Sequence, residues 1–386
     1  MIRPLFLALF LTCAAWANQT FVASKVCAKC HPLIYKEYSE SMHRNASVAN
    51  DPIHRKIWEK HPLKAKKRYN CAVCHTPSDT KVIEALEKGE SAMPSGSLIQ
   101  KEEPIGCAYC HRIRSVQTHA KQNRNIINPT PKYFYAAKEG KTIEKRVKFH
   151  ETSSFFGLSR TTAGSPFHTI DYGNRLFSTG HICLGCHDHK QNSHGFTICS
   201  MNIRENDPKK HNCIACHMPQ VPGSYSTIQK SKTHTYHGFA GPHHHLNLLK
   251  KAVTLKASAK RSHLNVTVVN HSIHKLFTHP LRLGQLRVTI RRDGKIIRPK
   301  PINFYTVLGK EGKPAMPWIA DTVLKSKGID ASSTKTFDTG IRVKKGDEVK
   351  VTLGLYIVNP KAAKKLGITE KKVTGFKPLT SQTFRF

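Results

Sequence analysis

The chain has 386 residues, with 62 Lys and Arg against 25 Asp and Glu, a formal charge of +37, and unusually many histidines (24) and cysteines (12). Beyond the N-terminal leader, no stretch approaches the ~18 apolar residues that span a bilayer, which excludes a membrane-spanning helix in the mature chain. Such a charge steers encounters with acidic proteins, anionic lipid or anionic substrates.

At the N-terminus, Arg3 precedes the apolar run Leu5 to Leu11 and a small-x-small site at Ala15-Trp16-Ala17, the pattern of a cleavable signal peptide over residues 1–17. Cys13 leaves with it, and Phe10-Leu11-Thr12 before it does not make a lipoprotein site. The mature protein is therefore expected in the periplasm, or on the outer surface.

Cys-x-x-Cys-His then occurs five times where composition alone predicts about 0.02 occurrences. The copies hold Cys27, Cys30 and His31; Cys71, Cys74 and His75; Cys107, Cys110 and His111; Cys183, Cys186 and His187; and Cys213, Cys216 and His217. On a helical turn, positions i, i+3 and i+4 share a face, so two thiols can join the vinyl groups of a haem while the imidazole reaches its iron. Zinc binding and thioredoxin-like chemistry need no histidine directly after the second cysteine. The expected cofactors are five covalently bound haem c groups. An exported chain of this kind also argues against nucleic acid, the usual partner of so basic a protein. Cys199 alone has no haem to hold, and its ordinary role is that of a small buried residue.

Between successive motifs lie 39, 31, 71 and 25 residues, too few for separate cores, so residues 18–245 read as one cytochrome domain. Its regular structure should be short helices joined by loops that Pro32, Pro52, Pro62, Pro77, Pro94 and Pro104 interrupt. Helical patterns are clearest around Pro32–Ser41 and Asp79–Lys88, and the 71-residue gap offers no clear element. From residue 246 to 386 the period falls to two. Val253-Leu255-Ala257, Leu264-Val266-Val268, Leu286-Val288-Ile290 and Val349 to Ile357 alternate with polar residues. Asp293-Gly294 is a two-residue hairpin signal, and a turn at Lys344–Asp347 links Ile341–Val343 to the long strand. About seven strands in such a segment suggest an immunoglobulin-like sandwich. The expected class is α+β, a mostly α and loop cytochrome domain followed by an all-β one. This second part holds 29 basic and 8 acidic residues from 250 onward.

Nineteen histidines lie outside the motifs, against six methionines, so bis-histidine ligation and low potentials are the default. Several segments resemble the multihaem cytochromes related to cytochrome c554 and, more distantly, to hydroxylamine oxidoreductase and octahaem tetrathionate reductase. They are Cys27 to Pro32 with Tyr35, Tyr38 and Ser41-Met42-His43-x-x-Ala46; Ser165-Pro166-Phe167-His168; Cys213 to Pro219; His237-x-Phe239-x-Gly241; and Val266 to Asn270 with His274. The last departs from the family's V-x-N…GH-x-x-PTG pattern, with Ile273 for the glycine and Thr278-His279-Pro280 for the proline-threonine-glycine. The resemblance implies His43, His168, His237 and His274 as distal haem ligands. For the remaining haem, His61, His119, His150 and His194 are candidates; His181 and His211 lie too close to motifs to serve their own haem, and His243-His244-His245 adds a histidine tract. Tyr35, Tyr38, Trp58, Tyr69 and Tyr109 are expected to pack on porphyrin faces.

Two functions follow. The first is an electron carrier between acidic redox partners, such as a membrane quinol-oxidising cytochrome and a terminal reductase. The alternative is a reductase or oxidoreductase acting on a small nitrogen or sulfur oxyanion at one open haem.

Overall fold

The computed structural model describes residues 21–138, 146–147, 149–153, 160–201 and 212–386, so the leader and His211 lie outside the described residues. The architecture is α+β.

Prolines set the helices of the first half. Helices α1 (Pro32–Glu40) and α2 (Pro52–Lys60) each open on a proline, whose missing N–H would have been unpaired there in any case. Asp51 caps α2 by accepting from the Ile53 N–H at 2.9 Å. Helix α3 (Thr80–Glu87) is capped by buried Asp79, which accepts from the Val82 N–H and from Gln100 Nε2. The 71-residue gap contains strands of three residues, Tyr133–Tyr135 and Thr169–Asp171, paired in parallel, and the short helix Arg175–Thr179. Elements this short carry too few repeats for a period to be read.

Ten strands form after residue 252: β1 (Val253–Lys260), β2 (His263–Asn270), β3 (Leu283–Arg292), β4 (Lys295–Ile297), β5 (Ile302–Lys310), β6 (Lys313–Pro314), β7 (Thr322–Lys327), β8 (Ser333–Arg342), β9 (Glu348–Tyr356) and β10 (Phe376–Arg385). They make a sandwich. One sheet has the order β1-β2-β8; the other runs β6-β5-β3-β9-β10, with β4 on β3 and β7 on β5. Alternate residues of β2 and β3 point inward, so Leu264, Val266 and Val268 from one sheet meet Leu286, Val288 and Ile290 from the other in a dry core completed by Val349, Val351 and Leu353. Each such side chain contributes about 1.5–3 kcal/mol on burial. At the β3–β4 hairpin, Asp293 and Gly294 both take positive φ (46° and 72°), as a type I′ turn requires.

Three details differ from the expected pattern. Strand β7 is exposed along its whole length, so it shows no alternation. Helices α4 (Pro360–Leu366) and α5 (Lys371–Thr374) interrupt the strands. The Lys344–Asp347 turn also carries the chain from one sheet to the other, since β8 pairs with β2 while β9 pairs with β3.

That crossing is held by Arg292, which donates to both oxygens of Asp347 at 2.8 and 2.7 Å, while the Lys344 N–H donates to the same carboxylate at 2.8 Å. The Asp347 side chain is 1% exposed, and the guanidinium holds its carboxyl below the usual range. A lowered folded-state value means stability that is present above the ordinary carboxylate range and lost as pH falls through the folded one. Asp347→Asn should cost about 1–3 kcal/mol at neutral pH. In chemical denaturation, the gap between variant and wild type should close in acid.

The halves are joined by packing. Ile357, Val358, Ala363, Leu366, Ile368 and Val373 form a second apolar cluster, onto which Ile53 and Ile57 of α2 pack. Asn192 Nδ2 donates to the Pro317 and Ala320 carbonyls at 2.9 and 2.6 Å.

Candidate haem sites

Every motif sits on a tight helical turn. The His31 and His75 N–H groups bond back to the Cys27 and Cys71 carbonyls at 2.9 Å, and the other three motifs lie on short helices ending at His111, His187 and His217. Side chains hold the starts of two of them: Ser24, distant in the chain, accepts through Oγ from the Cys107 N–H at 3.0 Å, and Asn212 Oδ1 caps the last motif by accepting from the Ala215 N–H at 2.9 Å. Each turn thus presents two sulfurs and one imidazole together.

Four motif histidines face a histidine from elsewhere in the chain. Ring centres are 6.4 Å apart for His31 and His168, 6.1 Å for His187 and His43, 6.2 Å for His111 and His237, and 6.3 Å for His217 and His274. A histidine nitrogen binds a metal at ~2 Å, and the ring centre lies about 1 Å beyond it, so two imidazoles sharing one metal stand about 6 Å apart. The observed spacing has that value four times.

The motif histidines are also oriented. Nδ1 faces a backbone carbonyl in His31 (Tyr225, 2.5 Å), His111 (Tyr135, 2.7 Å) and His217 (Ala240, 2.6 Å), and so does Nδ1 of His237 (Thr235, 2.7 Å). A proton held on Nδ1 leaves the Nε2 lone pair free for a metal. Burial pushes His43 and His237 down to about 3, so both are neutral, as ligands must be. The rings of His43 and Phe239 stand nearly perpendicular, with their centres 3.9 Å apart.

The second motif is different. His75 has its ring 4.1 Å from that of His54, too close for a metal between them. Both Nδ1 atoms face the same Ala46 carbonyl, at 3.1 Å from His75 and 2.9 Å from His54, and His54 Nε2 is 3.3 Å from the hydroxyl of Tyr69. Among the other candidates, His61 packs between Trp58 and Trp318 and accepts from the Leu63 N–H, the His119 carbonyl meets His189 Nε2, and His61, His119 and His150 line the cavity that the motifs share. His150 lies in the strand His150–Ser153, the His194 N–H meets Asn192, and His245 is 3.9 Å from Glu40. His54 escaped the reading of the sequence. The available signal was its i, i+4 spacing to Trp58 on the buried side of α2.

The thiols meet across motifs. Cys27 is within hydrogen-bonding reach of Cys107, Cys74 of Cys186, and Cys183 of Cys213, while Cys110 is in electrostatic reach of both Cys183 and Cys186. All five motifs line one connected cavity of about 4560 Å³, several times the roughly 300–1,000 Å³ of an ordinary ligand pocket. Val26, Phe167 and Ile228, large apolar side chains that face outward in the bare chain, are among its walls. Tyr38, Trp58, Tyr69 and Tyr109 are buried, and the Tyr109 hydroxyl accepts from Asn125. Cys199 is half-buried beside the fourth motif, with Sγ 3.6 Å from the His187 carbonyl.

Residues 26–112 match the family model of cytochrome c554 and c-prime. Over that segment, which holds the first three Cys-x-x-Cys-His motifs, the chain resembles this family. The paired thiols, the 6 Å ring spacing and the shared apolar cavity fit covalently bound haem c. The fold of the chain is similar to that of a penta-heme cytochrome c552 from Thermochromatium tepidum, with a TM-score of 0.69 and 18% identity over 95% of this chain and 99% of that one. No curated protein matches the sequence. Among the described residues, no helix is long and apolar enough to cross a membrane.

Proposed function

We propose that the protein is an exported pentahaem electron carrier, and the observation that carries this reading is the four histidine pairs at 6.1–6.4 Å. His31 with His168, His187 with His43, His111 with His237, and His217 with His274 would each close both axial positions of one iron. A haem so closed exchanges single electrons and offers no coordination site to a substrate. The thiol contacts put attachment sites one, three, four and five in a row, with site two beside site four. Redox partners in the periplasm would be acidic proteins, drawn by a C-terminal half with 29 basic and 8 acidic residues through salt-sensitive contacts.

His75 favours a second reading for one site. Its neighbour His54 stands on the same side and shares its carbonyl, so the haem there would keep one axial position for a small ligand, such as a nitrogen or sulfur oxyanion. Neutral, buried His54 would contribute no cation to hold such an anion, which leaves binding to the iron itself.

Haem counting, electron paramagnetic resonance and carbon monoxide titration test both. The expected results are five haems per chain, mostly low-spin signals, and one carbon monoxide per reduced chain. Fewer than five haems would overturn the pentahaem carrier, and purely low-spin spectra without carbon monoxide binding would remove the open site.

A further inference from the structure

We propose that His54 is a positioning residue for the second haem site: by sharing the Ala46 carbonyl with His75, it sets how much electron density His75 gives to its iron. The inference rests on the reading that His75 holds a haem.

A histidine ligand whose Nδ1–H is strongly hydrogen-bonded becomes more basic and stabilises the ferric state; a weaker bond has the opposite effect. A carbonyl oxygen has two lone pairs and can take two donors, but dividing it lowers what each receives. The distances follow that expectation. The unshared bonds of His31, His111 and His217 measure 2.5, 2.7 and 2.6 Å, and the shared one of His75 is 3.1 Å. His54 makes the shorter bond of the two, at 2.9 Å.

The surroundings fix which nitrogen of His54 donates. The Ala46 carbonyl can only accept, so His54 Nδ1, 2.9 Å from it, carries the ring proton, and Nε2 accepts from the hydroxyl of fully buried Tyr69 at 3.3 Å. With Nε2 accepting, the ring proton sits on Nδ1 and points to Ala46. The ring itself cannot swing away, because Asp51 caps the first turn of α2 and the neighbouring Ile53 and Ile57 are locked into the apolar cluster of the C-terminal half. The device therefore couples a side chain on α2 to the second site without touching its iron.

The test is potentiometry on the full, haem-loaded protein. His54→Leu keeps the volume and removes the donor, His54→Asn keeps a donor near the Nδ1 position, and Tyr69→Phe deletes only the hydroxyl that orients the ring. His54→Leu should make reduction of one haem roughly three- to tenfold less favourable, a midpoint up to ~59 mV more negative for one electron. Tyr69→Phe should move the same haem in the same direction, and His54→Asn should restore the wild-type value. Unchanged midpoints in both the Leu and Phe variants, or an Asn variant that shifts as far as Leu, would overturn the proposal. Carbon monoxide binding, followed in parallel, reports separately on whether the site is open, so failure of that reading cannot be mistaken for failure of this one.

Discussion

Replacing Cys183 and Cys186 by alanine should give a protein one haem short whose remaining attachment sites no longer form a connected row. The fourth motif is where the thiol contacts converge: Cys183 meets Cys213, Cys186 meets Cys74, and Cys110 stands in reach of both. Thioethers formed at these sulfurs would bring the edges of three further attached groups to the fourth. With the fourth site gone, sites one and three would keep each other, while sites two and five would each be isolated. Mass spectrometry and haem assay count the loss, and stopped-flow reduction reads the connection. A single-phase reduction in wild type should split into fast and slow phases. The same kinetics in both proteins would show that electrons do not pass through the fourth site.

The second large effect is expected at His43. His43→Ala should convert one haem in five from low-spin to high-spin, with added imidazole reversing the change. The argument is geometric. His43 is half-buried, its ring centre is 6.1 Å from that of His187, and the ring is wedged against Phe239, so His43 is the side chain held opposite His187. A spectrum identical to wild type would mean that His187 takes its partner from another position. His168, His237 and His274 support the same experiment, and each should affect a different haem.

Much of this layout was legible from the chain because covalent haem attachment writes itself into adjacent residues. The motifs needed no tertiary information, and helices α1 and α3 announced themselves by proline and aspartate at their starts. The strands β1, β2, β3 and β9 were readable because one face of each is buried. His43, His168, His237 and His274 could be named only through resemblance, since each meets a motif between 57 and 144 residues away in the chain. At the second site the motif was readable but its surroundings were not. What distinguishes it is a hydrogen bond from His54 to the carbonyl of Ala46, and a backbone acceptor has no signature in the sequence. The crossing at Lys344–Asp347 was hidden for a related reason, because alternation tells which residues point inward but not to which sheet a strand belongs.

His274 lies just past β2, with Asn270 Nδ2 donating to its carbonyl at 3.1 Å, and it faces His217 of the last motif. With both imidazoles on one iron, the metal becomes a clasp between a segment synthesised early and a domain completed only at the end of the chain. Binding energy that exists only when both parts are in place adds to the stability of the native state. On that reading the order of biogenesis follows: a haem at the last motif could be attached as soon as Cys213 and Cys216 emerge, but His274 would reach it only when the sandwich has folded. A chain truncated after residue 250 would carry that haem with one face open to water, and its spin state would report whether the C-terminal domain had ever formed.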